Sequence, residues 1–76
     1  MNADAAAVPF ALRGDHITLD ALLKATGWAH SGGGAKVLIA EGQVRVNGEV
    51  DTRRGRKLRT GDVVELGGQR VQVQAG

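Results

Sequence analysis

The sequence predicts an α+β fold in which two N-terminal helices pack on a small antiparallel sheet. Three observations predict it. Leu19, Leu22 and Leu23 recur at helical spacing behind Thr18, and a second segment of helical composition, "AKVLIAEG", follows Ser31. From Gln43 onward the pattern alternates between apolar and polar residues, punctuated by turn signals at Asn47-Gly48, Gly61-Asp62 and Gly67-Gly68.

The 76 residues suffice for one small domain, placed at residues 13–76, after a tail at residues 1–12. A short strand over Val8 to Arg13 ends that tail, and Gly14-Asp15 breaks it. The first helix spans Leu19 to Thr26: Thr18 is placed to cap it, Asp20 complements its partial positive end, and Ile17 and Leu22 suit a hydrophobic staple. Gly27 suits the left-handed residue that ends a helix, and Trp28 follows as a plug between the helices. The second helix spans Gly32 to Glu41 with Ser31 as its cap and Gly42 beyond its end. Its first turn is paved with Gly32, Gly33 and Gly34, which costs up to about 1 kcal/mol per residue relative to alanine in a helix interior, and less at its end.

In the second half, Val44 and Val46 face inward and Gln43 and Arg45 outward, Asn47-Gly48 turns the chain, and Glu49 and Val50 return. "VVEL" and "RVQVQ" form the last hairpin around Gly67-Gly68, with Val71 and Val73 inward. Between the hairpins runs "RRGRKLR", five basic residues from Arg53 to Arg59 with Leu58 as the apolar anchor. Leu58 inward puts Arg56 on the core side and leaves Lys57 and Arg59 the freer pair.

Composition narrows the chemistry. The net charge is +2 and the pI near 9.7, so the clustered cations suit an anionic partner. Cysteine is absent, excluding disulfides and thiolate metal sites, and no metal-ligand spacing appears among the remaining residues. The N-terminal stretch lacks the basic start and long apolar run of a signal peptide, and no segment is long enough to span a bilayer, so a cytoplasmic protein is expected. A Walker-type loop requires Gly-Lys-Ser or Gly-Lys-Thr, whereas Ala35 precedes Lys36 and Val37 follows. His16 and His30 read as surface residues, with no third group to orient a nucleophile and base. No catalytic residue, metal or cofactor is expected.

The glycine-paved turn has two readings: close packing of helix on helix, or a phosphate site at a helix N-terminus, where unpaired N–H groups and partial positive charge attract anions and glycines keep side chains away. Lys36 and Arg45 would add full charges nearby.

The stretches "SGGGAKVLIAEGQVRVNGEV" and "LRTGDVVEL", through Ser31, Ala35, Ile39, Gly42, Val44, Val46, Asn47-Gly48 and Gly61-Asp62, resemble the RNA-binding module named after ribosomal protein S-four, the alpha-L motif, in its small stand-alone bacterial form. The resemblance runs from about Ile17 to Val73. It implies a monomer that binds structured RNA, ribosomal RNA or the ribosome included, through the start of the second helix and the following hairpin. By matching positions it implies contacts from Ser31, Lys36, Gln43, Arg45 and Asn47. Larger members carry an arginine after the serine and an acid or amide two residues later, where this chain has Gly32 and Gly34. The basic run adds Arg53, Arg54, Lys57 and Arg59 as candidate phosphate contacts. With Phe10 and Trp28 the only aromatic residues, backbone shape is a better target than stacked single strands. Two alternatives stay open. "VRVNGEV" and "LRTGDVVEL" also resemble β-grasp sulfur carriers, although the end "VQVQAG" lacks their Gly-Gly, and an adaptor could use the basic face on an acidic protein partner.

Overall fold

A computed structural model describes residues 7–76. Residues 1–6 of the expected tail lie outside the described residues. The chain runs through β1 (Val8–Ala11), β2 (Ile17–Thr18), α1 (Leu19–Ala25), α2 (Gly32–Ala40), β3 (Val44–Val46), β4 (Glu49–Val50), β5 (Lys57–Leu58), β6 (Val63–Leu66) and β7 (Gln69–Gln74). The main sheet has the order β1-β7-β6-β3-β4, and β2 pairs with β5 in a separate two-stranded ribbon.

The architecture is α+β, as the sequence predicts, but the sheet is mixed. Its β3, β4, β6 and β7 pairings are antiparallel, while β1 lies parallel to β7 with Val8 opposite Val71 and Phe10 opposite Val73. The helices and the rest of the sheet form the long crossover that parallel pairing needs. The ladder continues where the Leu12 N–H donates to the Gln74 carbonyl at 2.9 Å, which draws Leu12 into the core.

α1 is too short to be stable by propensity alone, so its packing decides. Leu19, Leu22 and Leu23 are fully buried, each contributing about 1.5–3 kcal/mol relative to exposure. Its start is capped differently from expectation. The Thr18 hydroxyl donates to Asp20 Oδ1 at 2.7 Å and caps no backbone N–H. Instead the Leu19 N–H donates to the Arg56 carbonyl at 2.9 Å and the Asp20 N–H to the Arg54 carbonyl at 3.1 Å, so the basic run supplies the cap through its backbone. Gly27, at φ 81°, ends the helix.

In α2, Ser31 Oγ accepts from the Gly34 N–H at 3.0 Å, and Ala35 and Ile39 face the core. The helix closes in a Schellman motif: the Gln43 N–H donates to the Leu38 carbonyl and the Gly42 N–H to the Ile39 carbonyl, with Gly42 at φ 74°. Below the helices, Val44, Val46, Val64, Val71 and Val73 form the inner face of the sheet. Asn47 at φ 53° and Gly48 at φ 88° make the two-residue turn that pairs Val46 with Glu49.

Candidate nucleic-acid interface

The start of α2 is open. Ser31, Gly32, Gly33, Gly34 and Lys36 are all exposed. The Gly34 N–H is taken by Ser31 Oγ and the Ala35 N–H by the Ser31 carbonyl, whereas among the described residues no acceptor meets the N–H groups of Gly32 and Gly33. A Cβ built on Gly32 would meet nothing within 4 Å. On Gly33 it would touch only Ser31 Oγ at 3.8 Å, and on Gly34 Ser31 Oγ at 3.5 Å and Ala29 Cβ at 4.0 Å, all ordinary contacts. Helix-on-helix packing therefore does not require these glycines. They leave a bare helix end with two backbone donors that meet no acceptor among the described residues, and Lys36 stands exposed one turn on.

Gln43 and Arg45 line one shallow depression with Glu65 and Gly67. The Gln43 amide donates to Glu41 Oε1 at 2.8 Å, and Arg45 stands on the outer face of the sheet opposite Val50 and Glu65. Asn47 is occupied at both ends of its side chain: Nδ2 donates to Asp62 Oδ1 at 3.0 Å, and Oδ1 accepts from the Val63 N–H at 2.9 Å. The amide thus ties the β3–β4 turn to the Gly61-Asp62 turn. Asp62 also accepts from the Arg59 N–H at 2.8 Å, and these hydrogen bonds lower its pKa against the opposing effect of burial.

The basic run is organised by a residue that sequence reasoning missed. Asp51 is buried, and its carboxylate accepts from the Arg53 N–H at 2.9 Å, Arg53 Nε at 3.1 Å, Arg53 Nη2 at 2.9 Å and Arg56 Nη1 at 2.8 Å. The hydrogen bonds from Arg53, helped by Arg56, outweigh desolvation and hold this carboxyl well below the usual carboxylate range. An acid two residues before one arginine and five before another was the available signal.

The five cations consequently divide. Arg53 and Arg56 are clamped by Asp51, with 70% and 30% of their side chains exposed. Arg54 and Lys57 are exposed and form no ion pair among the described residues, and Arg59 reaches Asp15 only at 3.9 Å. Leu58 is fully buried between them. The run sits at the start of α1 and the glycine turn at the start of α2, and no hydrogen bond joins the two among the described residues.

The histidines contribute little. His16 pairs with the exposed Asp15 at 2.7 Å, a hydrogen bond that lowers the Asp15 pKa, and no hydrogen bond joins His30 to Ser31 among the described residues. Among the described residues, no three His, Asp or Glu side chains gather as a metal site. Among the described residues, no helix is long and apolar enough to cross a membrane.

Residues 10–74 match the S4 domain family. The chain belongs to that family. YbcJ of Escherichia coli strain K12 is 50% identical over 60 residues, 79% of this chain and 86% of YbcJ. RlbA of Bacillus subtilis strain 168, named a probable ribosome maturation protein, is 48% identical over 60 residues, 79% of this chain and 84% of RlbA. The solution structure of E. coli YbcJ, described as revealing an alpha-L motif involved in RNA-binding, matches with a TM-score of 0.69 and 42% identity, covering 99% of this chain and 96% of that one.

The two helices and sheet of this S4 domain are the alpha-L architecture that the resemblance implied. The segments "VRVNGEV" and "LRTGDVVEL", which also resemble β-grasp carriers, both lie inside the S4 domain match.

Proposed function

We propose that this S4 domain is a non-enzymatic RNA-binding protein, acting as a cytoplasmic monomer, that holds structured RNA of the ribosomal kind through its phosphates. The observation that carries the reading is the start of α2: two N–H groups that meet no acceptor among the described residues and three glycines that the fold itself does not require, with Lys36 exposed one turn on. A phosphate seated there accepts from the Gly32 and Gly33 N–H groups and from the Ser31 hydroxyl, while Lys36 neutralises it. Gly34 keeps the approach clear.

A neighbouring stretch of backbone then meets Gln43 and Arg45 on the sheet. Asn47 supports this surface by fixing the turn, its amide being engaged with Asp62 and Val63. Arg54, Lys57 and Arg59 supply exposed cations for a second phosphate run, and Arg53 is held in place by Asp51. The names of YbcJ and RlbA support a role on RNA at the ribosome. The test is a salt titration of binding to a ribosomal RNA hairpin and to an unstructured strand of equal length. Contacts to about three to five phosphates should give a steep linear fall of log affinity with log salt, with the hairpin preferred. A flat dependence, or equal binding of the unstructured strand, overturns the proposal.

A further inference from the structure

The chain's two aromatic side chains, far apart in sequence, meet in one place. Phe10 on β1 and Trp28 in the α1–α2 loop line an open groove of about 520 Å³ together with Val8, Val71, Gln69 and Arg70. Its lining is mostly apolar and includes Thr26 and Gln69. Both aromatics are only partly buried.

The groove adjoins both halves of the proposed RNA surface. Trp28 precedes Ser31 by three residues, a span of at most about 11 Å. On the other side, Gly68 and Arg70 line the groove while Gly67 and Glu65 line the depression of Gln43 and Arg45. The Arg70 guanidinium itself lies with Arg45 on the outer face of the sheet, paired with Glu65 at 3.1 Å, so the two sites meet at the Gly67-Gly68 turn. RNA backbone lying on the start of α2 and on Arg45 would pass the mouth of this groove.

We infer that the groove accepts one unpaired nucleobase of the bound RNA, a bulged or loop nucleotide turned out of its stack. This inference rests on the RNA-binding reading above. A nucleobase is a flat π-surface with a polar edge. Its faces stack on the Trp28 indole and the Phe10 ring, while the Gln69 amide, with both a donor and an acceptor, meets its edge. The arrangement gives a protein with only two aromatics a way to prefer an irregular helix over a regular one: the phosphates select RNA, and the groove selects the unpaired position.

Trp28 is the chain's only indole, so its emission reports on the groove without a label. The full chain is titrated with two hairpins of the same stem, one fully paired and one carrying a single unpaired adenosine, while affinity is read separately from the anisotropy of a dye on the RNA end. The bulged hairpin should quench Trp28 and bind about tenfold more tightly; the paired one should bind without quenching. Trp28→Leu should abolish the preference and leave affinity for the paired hairpin unchanged, and Trp28→Phe should retain most of it. Should Trp28→Leu fail to fold, Phe10→Leu reads the same loss of preference. Bulged RNA that binds with no preference and no change in Trp28 emission overturns the groove assignment and leaves the phosphate reading standing. Failure of both hairpins to bind at low salt overturns both.

Discussion

Replacing Asp51 with asparagine should destabilise the domain by about 2 kcal/mol and flatten its response to acid. The carboxylate is 6% exposed and accepts four hydrogen bonds from Arg53 and Arg56. Hydrogen bonds to charged groups contribute roughly 1.5–3 kcal/mol each when desolvated, and pairs in solvent about 0–1. Arg53 is largely solvated and Arg56 is not, so the pair with Arg56 and the Arg53 backbone N–H should carry most of the loss. In Asp51→Asn an amide group also faces the guanidinium donors. The loop carbonyls of Arg54 and Arg56 receive the first N–H groups of α1, so loosening the loop uncaps that helix as well. For a chain of this size a loss of about 2 kcal/mol lowers Tm by about 8–16 °C. The folded pKa of Asp51 lies below its unfolded value, so its contribution is fully present above about pH 4 and is lost as pH falls toward the folded pKa. The stability gap between wild type and Asp51→Asn should therefore narrow by about 1 kcal/mol between pH 7 and pH 3. Urea unfolding followed by Trp28 emission at both pH values measures it. Equal stabilities at neutral pH, or a gap that does not change with pH, would refute this account of the loop.

Gly33→Asp should raise stability slightly, because a carboxylate at the second helical residue complements the helix end by about 0.3–1 kcal/mol, and the built Cβ meets only an ordinary contact. The same charge should weaken RNA binding about tenfold; a lower Tm with unchanged affinity would point to packing instead. Lys57→Gln combined with Arg59→Gln should reduce RNA affinity and the salt slope with a stability change of no more than about 0.5 kcal/mol, since both side chains are exposed. Unchanged binding by gel shift would make this run a solvated loop. Asn47→Ala should cost about 1–3 kcal/mol, from the lost bridge to Asp62 and Val63 and from the positive φ, and Asn47→Gly should cost less; equal urea midpoints for the two would contradict the role of φ.

What the sequence made legible was local. The cap Ser31, the ends of both helices at Gly27 and Gly42, and the turn at Asn47-Gly48 follow from residue chemistry within a few positions, and the structure has them where that chemistry puts them. The alternation of Val44, Val46, Val71 and Val73 likewise identifies the inner face. The remainder depends on distant chain. A strand over Val8–Ala11 is readable, but its parallel partner β7 lies some sixty residues away and no local signal selects it. Thr18 has the right type for a cap, yet its neighbours' N–H groups find the carbonyls of Arg54 and Arg56, which only the folded loop brings there. Asp51 has the same origin: its role exists only once Arg53 and Arg56 fold back over it. The meeting of Phe10 with Trp28 requires β1 to return beside β7, so no spacing announces it.

The most direct measurement is a titration of the isotopically labelled domain with a ribosomal RNA hairpin, reading backbone amide shifts residue by residue. Phosphate binding at the start of α2 predicts that the amides of Gly32 and Gly33 move most, with smaller shifts at Lys36, Gln43 and Arg45, and that added salt reverses them together. Binding that leaves Gly32 and Gly33 unmoved, while shifts gather elsewhere on the domain, would contradict it.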